Sequence, residues 1–164
     1  MTAAPVVVNT DTFRQLDPRI ITIWRMATVF RTLLWIPVIF AAIAIAPVAL
    51  PIVTIGVFIL AGAGISMRFV TPARYRAWAF RVGDADVRLR HGVLWRTESV
   101  VPHFRIQHVD TTHGPLERWR GLASVVIYTA GSVGGALTIP GLAVSDAEAL
   151  RDRLAALSGS DDAV

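Results

Sequence analysis

The chain has no cysteine and no lysine. The first absence removes disulfide frameworks, thiolate metal sites and thiol nucleophiles, and the second removes lysine catalysis. All 16 basic residues are arginine, a bias better explained by a GC-rich bacterial genome than by chemistry. Charge of either sign is scarce, at 17% of residues against about 25% in an ordinary soluble domain. The shortage is local. Thr32 to Met67 is a run of 36 residues without a charge. One globular domain rarely contains such a run, whereas a membrane anchor followed by a small domain does.

The run reads TLLWIPVIFAAIAIAPVALPIVTIGVFILAGAGISM. As one straight helix it would be roughly 54 Å long, nearly twice the ~30 Å hydrocarbon core. Two crossings fit better. The break belongs at Ala46-Pro47-Val48-Ala49-Leu50-Pro51, where two prolines remove two donors and extend the residue before each ring. The transmembrane hairpin of residues 32–67 then has arms at about 32–47 and 51–67, slightly short for spans. The first arm lengthens backwards through Trp24, Met26, Ala27, Val29 and Phe30, with Arg25 and Arg31 reaching to the headgroups. Ala42, Ala46, Gly56, Gly62 and Gly64 would let the arms approach closely.

Upstream, Leu16, Ile20, Ile23, Trp24 and Ala27 recur at helical spacing after Pro18. This predicts an amphipathic interfacial lead-in helix over 16–31, or a plain continuation of the first arm. Residues 1–15 are expected to be disordered. Orientation follows from arginine placement. Arg14, Arg19, Arg25 and Arg31 precede the hairpin, Arg68, Arg74, Arg76 and Arg81 follow it, and the turn has none. The positive-inside rule puts both termini in the cytoplasm of a bacterial cell membrane. A signal peptide cleaved after Ala44-Ile45-Ala46 is disfavoured by Pro47 and by the second apolar arm. A re-entrant hairpin that never crosses is the remaining alternative, because the arms are short.

After Met67 the pattern changes to short β-prone segments, assigned to a cytoplasmic domain over 68–158 with a tail at 159–164. Arg74 to Val82 alternates tolerably, and Gly83 to Asp86 reads as a turn. Val87 and Leu89 alternate with Arg88 and Arg90, predicting a half-buried strand with its arginines outward. His91-Gly92 reads as a two-residue hairpin turn, Val93 to Val101 as the partner strand, and Pro102 as its end. Phe104 to Thr111 is a strand that needs a bulge, since Ile106 and Val109 cannot otherwise share a face. Ser124 to Thr129 is strongly β-prone, Gly131 to Gly135 is a loop, and Leu137 to Ile139 is a short strand ended by Pro140. Ser145 and Glu148 predict a capping box for a final helix with Ala147, Leu150, Leu154 and Leu157 on one face. About six or seven antiparallel strands closed by one helix make a small barrel or bent sandwich.

Three of the four histidines, His103, His108 and His113, are five residues apart. That separation diverges on a strand and on a helix, so no metal site is expected. His108 and Asp110 share a strand face, but no Ser or Thr beside them has the look of an activated nucleophile.

The same stretch carries a family resemblance. Val101-Pro102-His103-Phe104-Arg105-Ile106-Gln107-His108-Val109, Gly114-Pro115-Leu116-Glu117-Arg118, Gly121-Leu122 and Tyr128-Thr129-Ala130-Gly131 resemble the signature of the bacterial pleckstrin-homology-like family of YdbS-type membrane proteins. His113 stands where glutamine is usual, and Trp119-Arg120 departs from the loop pattern. The resemblance covers the half after the hairpin and implies a bent two-sheet β barrel capped by a C-terminal helix. The expected fold is therefore membrane-anchored α+β: a two-helix transmembrane hairpin followed by an all-β PH-like sandwich and a capping helix.

The resemblance implies a non-catalytic binding or scaffold module without a cofactor. The expected partner is a larger membrane protein bearing several such domains, or a second copy. Arg105, Gln107, Arg118 and Trp119 are the candidate binding residues. Pro102, Gly114, Pro115, Gly121 and Gly131 are assigned to backbone structure, with Arg105 and Gln107 bonding across the sheet and Arg118 pairing with Glu117 or Asp110. The alternative is recognition of anionic membrane lipids by Arg68, Arg74, Arg76, Arg88, Arg90 and Arg96. Asp84 and Asp86, in the first turn, argue against a phosphoinositide-type pocket. A membrane enzyme using His108 and Asp110 is a remote third reading. No nucleic-acid role is expected, because the arginines are explained by the membrane and few aromatics interleave them.

Overall fold

The computed structural model describes residues 12–45, 49–130 and 135–159, and the chain divides into two compact units. The first is helical and spans Pro18–Arg76. Helix α1 (Ile20–Leu33) is followed by α2 (Trp35–Ile45) after a single-residue interruption at Leu34. Pro37 explains the interruption: it has no N–H for the carbonyl of Leu33 and its ring crowds that oxygen. Helix α3 (Ala49–Ile65) carries Pro51 in its first turn, where the missing N–H costs nothing. It runs through a widened π turn (Ser66–Val70) into α4 (Thr71–Ala77). The widening accommodates Pro72, and the Thr71 hydroxyl donates to the Ser66 carbonyl at 3.1 Å.

Ile20–Ala41 and Val53–Ala77 are long and apolar enough to cross a bilayer, and an apolar 18-residue window of the second has no buried residue. The helix begins at Ile20, not at residue 16, and continues into the first arm with only the break at Leu34. Of the small residues, a Cβ added at Gly56 would stand 3.6 Å from Ile39 Cδ1, an ordinary contact, while one added at Gly62 or Gly64 would meet nothing within 4 Å. The bend expected at 46–51 falls partly outside the described residues.

The second unit comprises the segment ahead of the helices and everything from Ala77 onward. The domain therefore starts later than residue 68, because helix, not strand, occupies Arg74–Ala77. Strands β1 (Ala79–Val82), β2 (Asp86–His91) and β3 (Thr97–Pro102) form one antiparallel sheet. Strands β4 (Ile106–Thr112), β5 (Leu122–Thr129) and β6 (Ala136–Ala143) form a second. Val87 and Leu89 point inward and Arg88 and Arg90 outward, as the alternation predicts. The β2–β3 connection is longer than the two-residue turn expected, because Gly92–Arg96 forms a loop and β3 begins only at Thr97. The bulge required in β4 is present between Ile106 and His108.

Gly114-Pro115 opens a short helix, α5 (Pro115–Arg120). Pro115 supplies a pre-set first helical residue, and Gly121 ends the helix at a φ of +66° that a residue with a Cβ adopts poorly. Strand β6 does not stop at Pro140. It passes through to Ala143, because this is an edge strand and Pro140-Gly141 bulges opposite Ser124. The last helix, α6 (Val144–Gly159), starts one residue before Ser145, which is therefore inside the first turn instead of capping it. Ala147, Leu150 and Leu154 are buried as the helical stripe requires, and α6 packs on the second sheet. Val87, Leu89, Leu122, Val125, Ile127 and Ile139 are buried in the same core.

Residues 12–15 were expected to be disordered, and 16 to begin a helix. Arg14 instead exchanges both backbone hydrogen bonds with Phe80 of β1, at 2.7 and 2.9 Å, and the Asp17 N–H donates to the Gly141 carbonyl of β6 at 2.9 Å. Arg14 also pairs with Asp146. The segment stitches the outer edge of one sheet to the outer edge of the other, while the His103–Arg105 turn joins the sheets covalently on the opposite side. Leu16, part of that strap, is buried. Residues 1–11, 131–134 and 160–164, including Gly131, lie outside the described residues.

Candidate functional site

His103 is buried, with Nε2 3.0 Å from the Gly83 carbonyl, and its backbone N–H donates to Ala85 at 3.0 Å. A carbonyl only accepts, so Nε2 carries the proton. His103 clips the β1–β2 turn to the corner before β4, a structural use of the ring. His108 stacks on Tyr128 with centroids 4.1 Å apart and lies 3.5 Å from Asp110. Both members of that pair are open to water. His91 stacks on Trp78 at 5.0 Å. Among the described residues, no three His, Asp or Glu gather to hold a metal ion.

The four candidate binding residues fall into two clusters. Arg105 ends the turn before β4, exposed, and it crosses to the neighbouring strand with its backbone: its carbonyl accepts the Ala130 N–H at 3.0 Å. Gln107, also exposed, sits at the bulge. Arg118 and Trp119 lie on α5, beyond the far end of β4. A seven-residue strand separates the pairs by about 20 Å, so they do not make one pocket. Arg118 does not take Glu117 as its partner. The Glu117 carboxylate accepts from the Gly114 N–H at 2.9 Å and from the Ser124 hydroxyl at 2.7 Å, locking α5 to β5. Asp110 is beside His108. With Glu117 held inward, α5 presents Trp119 to solvent at 66% exposure, with the Arg120 guanidinium 5.4 Å from its ring. Phe104, beside Arg105, is exposed as well.

The six arginines assigned to lipid divide likewise. In the helical unit, Arg68 lies in the π turn and Arg74 and Arg76 on α4, with Arg74 4.3 Å over the Trp24 ring. In the β unit, Arg88 donates twice to Asp86, at 3.1 and 3.0 Å. These bonds, with Arg81 at 3.5 Å, hold the Asp86 carboxyl below its ordinary range. Arg90 pairs with Glu98 at 3.0 Å and covers the Phe13 ring at 3.9 Å. Only Arg96 of these three carries no ion pair among the described residues.

Sequence reasoning missed Val93-Leu94-Trp95. Reading this stretch as a strand hid it, since a strand would bury alternate members, whereas the structure exposes all three in a loop. Three apolar residues directly after a hairpin glycine were the available signal. Within the helical unit, a cavity of about 150 Å³ is lined by Thr28, Arg31, Thr32, Trp35 and Ser66 among others. The hydroxyls of Thr28 and Thr32 already donate to the Trp24 and Thr28 carbonyls.

Comparison with known proteins agrees with this architecture. The family model described as "Bacterial PH domain" matches residues 20–158. The chain is 32% identical over 108 residues to the "UPF0699 transmembrane protein YdbS" of Bacillus subtilis (strain 168), and the aligned region covers 66% of this chain and 66% of that relative. No solved structure matches the chain.

Proposed function

The chain belongs to the bacterial PH-domain family, and from that premise we propose that it is a non-catalytic binding module, held at the inner face of a bacterial cell membrane, that assembles with another membrane protein. The observation that carries the assembly reading is the arrangement of the motif. Pro102, Gly114, Pro115, Gly121 and Glu117 shape the backbone, and Phe104, Arg105, Arg118 and Trp119 face outward. An exposed tryptophan beside arginines is the composition of a binding anchor, not of a catalytic centre. The partner is a larger protein carrying several such domains, or a second copy of this chain.

The topology reading rests on the strap. Arg14 and Asp17 precede both apolar helices, yet they are hydrogen-bonded into the domain that follows them. This supports a hairpin whose two flanks share one side of the membrane, and their arginines favour the cytoplasmic side. Because the chain has no native cysteine, a single Val48→Cys variant tests this directly. A membrane-impermeant maleimide should label it in intact cells, and failure to label would remove the two-span model.

Assembly is tested by solubilising native membranes in mild detergent and capturing the full chain. One stoichiometric membrane protein, or a discrete homo-oligomer, should be recovered, and Trp119→Ala should weaken its retention. A monomer that brings down nothing overturns the proposal. The second reading, attraction of anionic lipid, is favoured by Arg68, Arg74 and Arg76 at the end of an apolar helix, each worth about 1 kcal/mol near a charged leaflet.

A further inference from the structure

The loop Gly92–Arg96, between β2 and β3, is the largest feature the binding reading does not use. Leu94 and Trp95 each leave 83% of their surface open, and Val93 is 44% exposed. The loop is tightly folded. Gly92 has a φ of +103°, and a Cβ at that position would stand 1.8 Å from the Trp95 carbonyl oxygen. Only glycine permits this close return of the backbone, and the return holds the apolar tip outward.

The register shows which end of the sheet the tip leaves from. Ala79 pairs with Arg90, and the ring of Trp78 stacks on His91. Trp78 directly follows Ala77, the last residue of α4. The loop therefore leaves the sheet at the end where the chain arrives from its second apolar helix. The Gly83–Ala85 turn marks the other end of the same two strands, about 20 Å away for six residues of β2.

Charge points the same way. Arg88 and Arg90 are neutralised by Asp86 and Glu98, while Arg96, next to Trp95, has no ion pair among the described residues. A leucine, a tryptophan and a cation in succession suit the boundary between headgroups and acyl chains.

We propose that the Val93–Arg96 loop dips into the bilayer interface, with Leu94 and Trp95 entering the headgroup–acyl boundary and Arg96 meeting an anionic lipid phosphate. The loop gives the domain a membrane contact additional to the two ends of its hairpin and so sets its orientation. This contact stands whether or not a protein partner binds elsewhere.

The test uses the full chain, which lacks cysteine, reconstituted into phosphatidylcholine–phosphatidylglycerol vesicles. A nitroxide is attached through Leu94→Cys, and for comparison through Asp84→Cys in the opposite turn. At 94 the label should sit about 5–10 Å below the headgroup surface. Collisions with a water-soluble nickel chelate should fall by more than half relative to 84, while collisions with oxygen rise. Equal accessibility at the two positions would overturn the proposal. So would protection that appears only as the protein-to-lipid ratio is raised, which would mean that a second copy covers the loop. Adding Trp95→Asp to the labelled Leu94→Cys chain should return the label to water. If it stays protected, the label inserts by its own apolarity and the proposal fails.

Discussion

Leu154 and Phe58 are both large apolar side chains on helices, and their surroundings are opposite. Leu154 on α6 is fully buried against the second sheet, whereas Phe58 on α3 is 78% exposed. Their helices differ accordingly. Helix α6 carries a single apolar stripe among Asp146, Glu148, Arg151, Asp152 and Arg153, while α3 has no charged residue on any side. The same hydrophobic driving force gives a one-sided pattern where water lies on the other face, and an all-round pattern where lipid replaces water. The difference teaches that the β unit is stabilised by its own core and the helical unit by its solvent.

Equivalent substitutions in the two units should break or sharpen that contrast. Leu154→Ala leaves a cavity in a closed core and should cost about 2–5 kcal/mol. Loss of amide-exchange protection in β5 would measure it, and a cost below about 1 kcal/mol would mean that the core can collapse around the gap. Leu60→Arg places a charge on an exposed position of the second apolar stretch and should cost about 2.5–3.5 kcal/mol of insertion, read as protein extracted from membranes by carbonate.

Glu117→Ala removes the acceptor for the Gly114 N–H and the Ser124 hydroxyl and should cost about 1–3 kcal/mol. Earlier thermal unfolding of the chain in detergent would show it. The Asp86 carboxyl titrates below its ordinary value because Arg88, and less strongly Arg81, favour its charged form. Its contribution is therefore complete above about pH 4 and is lost as pH falls through the lowered folded value. The difference in melting temperature between the native chain and Asp86→Asn should shrink towards zero on acidification across that range. A difference that persists in acid would assign the effect to shape. Phe58→Ala, on the lipid-facing side of the contrast, should change domain stability by less than about 0.5 kcal/mol.

Legibility divides along the same line. The apolar arms, the outward arginines of β2, the β4 bulge and the buried stripe of α6 were all visible, because each is a local periodicity or a run. The misses lie where a distant residue decides. Arg14 and Asp17 have no pattern of their own and become ordered only because the edges of β1 and β6 leave backbone groups to be paired. Arg74–Val82 can be read as an alternating strand, but the helix arriving from the membrane continues to Ala77. Pro140 reads as a stop, yet an edge position with a bulge tolerates it. For the binding residues, residue type was legible and grouping was not. Arg105 and Arg118 occur in one motif, and β4 places them at its two ends.

By itself the sequence determined that this protein has a segment unsuited to water, arginine-rich flanks on either side of it, and a β-rich domain of a recognisable family. Those properties follow from composition and short-range spacing, which need no partner in space. Only the tertiary structure decided that the segment ahead of the helices is woven into the domain behind them, that Arg88 and Arg90 are spent on internal pairs, and that Leu94 and Trp95 stand exposed. These depend on which backbone edges and charges meet across the fold, and a linear pattern carries no record of such meetings.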